Sequence, residues 1–345
     1  MKPAPSNGIL KKPKLQPMHP LKSRLIRLAA ILLFAALPSA FARDLTFIVT
    51  SDSHYITDDQ SERNKSIRLS IEEMNAFDQR TWPEALGGGP IPRPRAVFVN
   101  GDIIDDGDKK GETELQWSYY VRDFGLTGKD GLLKYPVFDG YGNHDGPPVG
   151  AEKHGFSMQA KLKERNLRRQ ELGWLKELCP KGLHYSFDLD DVHFVQVNIY
   201  PADTQHAKIR YNRVWHDPQG ALTFLKSSLE KHAAGKDRPV IILSHCGFDT
   251  DWWHPEDWAI FHAAVAPYPV ASYFCGHTGT GILKYKPEGS SAAELPVVNT
   301  GQTAKGFFVV RITGDRIIAA YRIREAAGWK WKFPMDRPLV PPVAK

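Results

Sequence analysis

The stretch "LTFIVTSDSH", residues 45–54, sets a run of β-branched and aromatic residues directly before a cluster of Ser, Asp and His. The run is short, apolar without alternation and ended by polar residues, which predicts a strand covered on both faces. The same pattern recurs four times: "AVFVN" (96–100) leads into "GDIIDDGD", "YPVFDGY" (135–141) into "GNHDG", "PVIILS" (239–244) into "HCG", and "VASYFC" (270–275) into "GHTG". In α/β sheets ligands bind outside the carboxyl ends of the strands. Five clusters of metal-type side chains are therefore expected to meet in one crevice, although any one of them alone reads as a turn.

Between the first two runs, "SERNKSIRLSIEEMNAF" places Ile67, Ile71 and Met74 at helical spacing. "GALTFLKSSLEKHAAG" predicts a second helix, stopped near Gly235. "HYSFDLDDVHFVQVNIY" (184–200) and "GFFVVRITGDRIIAAYRI" (306–323) read as antiparallel hairpins turning at Asp190–Asp191 and at Gly-Asp. The predicted class is α/β, a two-sheet mixed β-sandwich flanked by helices. The domain is expected over 43–325, with the proline-rich 326–345 as a C-terminal tail.

The first 42 residues hold seven Lys and Arg and no acid, then "LAAILLFAALPSAFA", an apolar run with an A-x-A end. That is the build of a secretory signal peptide cut before Arg43, with Met18 as an alternative start. The predicted place is therefore secreted or periplasmic, with no membrane span after cleavage. Of the chain's 45 basic and 39 acidic residues, 38 and 39 remain beyond residue 42, so the basic pI near 9.0 belongs to the leader. Nothing in that balance points to nucleic acid as a partner. Cys179, Cys246 and Cys275 are three, which implies no disulfide framework.

Asp52 and His54, two apart in a segment read as extended, would face the same side and grip one ion. Asp102 could bridge to a second ion, for which Asn143, His245 and His277 offer an oxygen and two imidazole nitrogens. Gly276 and Gly281 have the spacing of a phosphate-binding P-loop, but Ile282 stands in place of its lysine. Ser244 and Cys246 flank His245, yet no G-x-S-x-G elbow accompanies them.

Taken in order, Asp-x-His, Gly-Asp-x-x-Asp, Gly-Asn-His-Asp, a histidine after a strand and Gly-His-x resemble the calcineurin-like metallophosphoesterases from Asp44 to about Ile323. The resemblance implies two divalent ions (Mn, Fe or Zn) and phosphoester hydrolysis. Asp52 and His54 would hold the first ion, Asp102 would bridge, and Asn143, His245 and His277 would hold the second. His144 would protonate the leaving oxygen or stabilise transition-state charge, oriented by Asp145. The family usually carries Gly-His-x-His, and the second histidine is here Gly279, which weakens the first ion site. Water or substrate, a distant group (His154, His184, His216, His254 or Thr280), or an empty site are the three outcomes left open.

The segments between the clusters are long loops by this reading, and Trp252, Trp253 and Trp258 either stack on a substrate or pack the loop. The substrate reads no further than a small-molecule or headgroup phosphoester. The rival is a catalytically weak relative that binds a phosphorylated ligand or one metal ion.

Overall fold

The computed structural model describes residues 43–146, 156–202, 220–235, 238–248, 250, 253–286 and 294–339. The signal-peptide segment, residues 1–42, lies outside the described residues.

All five apolar runs form strands: β1 (Asp44–Thr50), β2 (Val97–Val99), β3 (Val137–Asp139), β7 (Val240–Cys246) and β8 (Val270–Gly276). Both hairpins form as well, as β5 (Tyr185–Leu189) with β6 (Val192–Gln196) and β11 (Gly306–Thr313) with β12 (Arg316–Glu325). With β4 (Glu177–Leu178), β9 (Thr280–Tyr285), β10 (Leu295–Thr300) and β13 (Gly328–Pro338), they make two mixed sheets. One has the order β13-β12-β11-β1-β2-β3, the other β4-β5-β6-β7-β8-β10-β9. Strands β1, β2 and β3 are parallel to one another, as are β6, β7, β8 and β10.

The strands read as continuously apolar because both faces are buried. Phe47, Phe98, Phe138, Phe187, Phe194, Leu243 and Phe274 belong to one core. Their strand neighbours Ile48, Val97, Val99, Val137, Ile242 and Tyr273 belong to another, as the two-residue period of a strand requires. In the first core, Phe98 lies 5.2 Å from Phe47 and 5.0 Å from Phe194, ring centre to ring centre, and Phe187 stacks on Phe138 at 4.1 Å. Truncating Phe98 to alanine should cost about 3–5 kcal/mol, read as a fall in the urea midpoint without a change in slope.

Helices α1 (Glu62–Asn75) and α4 (Ala221–His232) stand where the periodicity puts them. Three others, α2 (Glu112–Phe124), α3 (Met158–Glu171) and α5 (Pro255–Val265), occupy the segments read above as long loops. In α3 the buried stripe starts with Met158 and Leu162 and then turns polar: Arg165 and Arg169 face inward to the carboxylate of Asp139, at 2.6 and 2.7 Å. Helical spacing of apolar residues could not reveal such a helix. Among the described residues no helix is long and apolar enough to cross a membrane.

The tail expected at 326–345 is corrected. Residues 328–338 form β13, paired along β12, and the domain runs at least to Pro338. Trp331 packs on Phe77 and Trp82 while Lys330 and Lys332 reach Glu325, an alternation that makes "WKWK" a strand. Its prolines are tolerated because β13 is the edge of its sheet.

Candidate metal centre

The loops after β1 and β2 run side by side. Asp52 N donates to the Gly101 carbonyl and His54 N to the Asp102 carbonyl, each at 3.0 Å. These bonds are made with Asp52, His54 and Asp102 at φ of 50°, 47° and 48°, and His277 is at 68°. Four of the six expected ligand residues therefore sit in the left-handed region, which side-chain-bearing residues adopt at a cost of about 1–3 kcal/mol. This corrects the expectation that 52–54 is extended: the segment coils, and still brings His54 Nε2 within 3.6 Å of Asp52 Oδ1.

Asp102 lies at the middle. Its Oδ2 is 3.5 Å from His54 Nε2 and 3.2 Å from His245 Nε2, and its Oδ1 accepts from the His144 backbone at 2.8 Å. Asn143 Oδ1 lies 3.0 Å from the same His245 nitrogen. The His245 and His277 rings are 5.1 Å apart, and the His277 backbone N–H donates to the Asp52 carboxylate at 3.0 Å. All six residues named from the sequence thus come together, from five loops.

Two glycines make this closeness attainable. A side chain on Gly142 would fall on the Asp102 carboxylate, and one on Gly276 on Ser51 Oγ and Asp52 Oδ2.

The electrostatics show what the pocket lacks. Burial alone would drive His54 and His245 toward the neutral form. Carboxylates outweigh burial in both cases: Asp105, Asp52 and Asp102 raise His54 to about 10, and Asp102 and Asp52 raise His245 to about 9. Asp102, against its own burial, is held well below the usual carboxylate range by His245 and His54. His277, buried and facing the cationic His245, is pushed down to about 4. Protonated imidazoles therefore meet a demand for positive charge, and divalent ions held by the same oxygens and nitrogens would meet it better. The donor set of carboxylates, imidazoles and one amide suits Mn, Fe or Zn.

The role expected of Asp145 is corrected. Asp145 is fully buried, and its carboxylate accepts from the backbone N–H groups of Ile103, Ile104 and Gly142, at 2.9, 3.2 and 2.7 Å. It braces the loops rather than the imidazole. The His144 ring is held by the Asp105 carbonyl, 2.8 Å from Nδ1. The Asp105 carboxylate lies 3.3 Å from His54 Nδ1, an ion-pair contact without the direction of a hydrogen bond. The Gly-Asp-x-x-Asp pattern, which sets Asp105 three residues after Asp102, was the available signal for it. Asp106 is instead paired with Lys109.

A calcineurin-like phosphoesterase model matches residues 45–280. The chain belongs to that family. Its similarity to solved structures is distant. TT1561 of Thermus thermophilus is 11% identical with a TM-score of 0.40, over 78% of this chain and 93% of that one. NAD nucleotidase (NadN) of Haemophilus influenzae is 14% identical with a TM-score of 0.40, over 85% and 54%. A Vps29 mutant from Entamoeba histolytica is 10% identical with a TM-score of 0.37, over 85% and 99%. No curated protein sequence matches the chain. Likeness at these levels assigns neither substrate nor activity.

Within this family of phosphoesterases the glycine at 279 remains the departure. Of the distant groups weighed to replace the missing histidine, His184 pairs with Asn198 and His254 caps α5, while His154 and His216 lie outside the described residues. Trp253 and Trp258 pack the loop rather than a substrate: Trp253 is buried against Tyr200, Phe248 and Phe261, and Trp258 packs on Phe248 and Tyr285. Trp252 lies outside the described residues. Ser244 Oγ is spent on the carbonyls of Asn198 and Ile199, which removes it as a nucleophile.

A Cβ built on Gly279 meets nothing within 4 Å, and the residue carries no left-handed φ. Gly279→His should therefore fold, and should tighten binding of the more weakly held ion by about 10- to 100-fold, read by competition with a metal-sensitive dye.

Proposed function

We propose that the chain is an exported, metal-dependent phosphoric ester hydrolase acting on phosphomonoester or phosphodiester bonds of small molecules or headgroups. One observation carries the reading: donors from five loops crowd around buried Asp102, in strained backbone, where carboxylates hold His54 and His245 in their charged form and so call for positive charge. Asp52, His54 and Asp102 would hold one ion, and Asp102, Asn143, His245 and His277 the other. When bound, such ions acidify water and neutralise phosphoryl charge.

The chain's own residues supply the proton. The Asp105 carbonyl can only accept, so His144 Nδ1 carries hydrogen and Nε2 is the nitrogen left to serve the leaving oxygen. His144 is exposed beside a cavity of about 300 Å³ lined also by Asn143, Asp106 and Asp108, which gives a leaving group room. Export rests on the basic start, the apolar run and the A-x-A end. Intact mass of the mature protein beginning at Arg43 is the expected result.

Gly279 favours a second reading, a weakly active relative that holds a single ion. Elemental mass spectrometry on protein resupplied with Mn, Fe or Zn separates the two. About two ions per chain, with turnover of p-nitrophenyl phosphate, support the hydrolase. One ion or none, without turnover, supports the second reading.

A further inference from the structure

Strand β6 runs parallel to β7, so its carboxyl end opens on the same crevice as His245. It leads into "VNIY", residues 197–200, which supplies none of the six expected ligands. Asn198 turns the chain there, 3% exposed and with φ at 59°. Its backbone N–H donates to Gln196 Oε1 at 3.0 Å, which fixes the turn. Its carbonyl accepts from the His245 backbone N–H at 2.5 Å and from the Ser244 hydroxyl at 3.0 Å. Its side chain works in another direction: Oδ1 accepts from the Tyr141 backbone N–H at 2.8 Å, and Nδ2 lies 2.8 Å from His184 Nδ1. One buried residue thus clamps the end of β7 with its main chain and the loop after β3 with its side chain. Two residues beyond Tyr141 stands Asn143, whose Oδ1 is 3.0 Å from His245 Nε2. Among the described residues no bond runs from Asn198 to 51–54 or to Asp102.

Resting on the two-ion reading of the site, we propose that Asn198 is a positioning residue for the second ion, setting the spacing between Asn143 and His245. Those two donors come from different strands, and neither loop alone fixes how far apart they stand. Asn198 bonds to both carriers, and its position is itself held by the left-handed turn. Asparagine is among the few residues with a side chain that take this backbone region readily. For the turn alone glycine would serve as well. The side chain is required only by what it reaches, the loop that carries Asn143. Its influence therefore falls on the second ion, and the first ion, held by Asp52 and His54 beside the shared Asp102, lies outside its reach.

The test compares wild type, Asn198→Gly and Asn198→Asp, with Mn or Zn alone as the probe. Metal Kd values are read by competition with a metal-sensitive dye, folding by the metal-free Tm, and turnover with p-nitrophenyl phosphate. Glycine keeps the turn and the carbonyl and removes only the bonds to Tyr141 and His184. In that variant the tighter ion, the one not weakened by Gly279, should bind about 10-fold less well, the scale of lost outer support at a metal site. The weaker ion should change far less. Aspartate keeps an acceptor for the Tyr141 N–H and should recover most of the affinity. Equal weakening of both ions, no recovery by aspartate, or an unchanged Kd beside a lowered metal-free Tm would make Asn198 a turn residue alone and overturn the proposal. If the glycine variant does not fold, Asn198→Ser, a side chain one atom shorter than the bond to Tyr141 needs, takes its place with the same expectations. A wild type that binds two ions without turnover ends the hydrolase reading and leaves the two Kd values to decide Asn198. A wild type that binds one ion leaves that single Kd to decide it, and one that binds none overturns both.

Discussion

Replacing Asp102 by asparagine should leave a folded protein that binds less than one ion per chain and hydrolyses esters roughly a thousandfold more slowly. The size of the effect follows from position. Asp102 is 1% exposed, its carboxylate faces His54 and His245, and it accepts the His144 backbone N–H, so one side chain ties together four loops. Asparagine keeps the shape and removes the charge. Elemental analysis and turnover check the prediction, and wild-type metal content with a wild-type rate would remove Asp102 from the centre.

Without metal the same substitution has a pH signature. His245, raised to about 9, contributes stability that is full below its unfolded value near 6.5 and is lost as pH climbs through 9. Asp102, lowered, contributes stability that is present above its unfolded value of 3.8 and is lost as pH falls below it. The pair supports the metal-free fold most fully between about 4 and 6.5. The Tm gap between wild type and Asp102→Asn should be widest there, narrow as pH climbs through 9 and close only above about 10, where His54 too has lost its proton.

The ligand set was legible because each donor follows an apolar run, and an apolar run closed by Asp, Asn or His is a local signal. Five local signals shared one position in the βα pattern, and that agreement made a crevice readable. What stayed hidden depends on partners far along the chain. Helix α3 could not be read from periodicity because beyond Met158 and Leu162 its buried face is made of Arg165, Asn166 and Arg169, and the two arginines are buried because Asp139 awaits them on β3. Strand β13 looked like a tail because its prolines argue against a strand unless it is known to be an edge. The coil at 52–54 was missed for a related reason: only the carbonyls of Gly101 and Asp102, some fifty residues on, hold Asp52 and His54 at positive φ. The assignment of Asp145 to His144 came from the family resemblance. In the fold that carboxylate finds three backbone N–H groups first, and a buried carboxylate with three such partners has little left to give an imidazole.

This division of labour makes His144 and Asp145 separable by experiment. His144→Ala removes an exposed ring whose Nε2 has no hydrogen-bond partner among the described residues, and the backbone N–H that binds Asp102 is retained. Metal content should therefore stay at the wild-type level while kcat falls about 10²- to 10⁴-fold, the range for a lost general acid. The loss should shrink for a substrate such as p-nitrophenyl phosphate, whose leaving oxygen needs little protonation, and grow for an alkyl phosphate. Asp145→Ala would instead leave the buried N–H groups of Ile103, Ile104 and Gly142 without an acceptor, at about 1–3 kcal/mol for each such group. Since Ile103 follows Asp102 and Gly142 precedes Asn143, the loops that carry those two donors would shift, and Tm, metal content and turnover should fall together. A His144→Ala protein that loses its metal would make the ring a part of the centre's scaffold, and its role as proton donor would have to be given up.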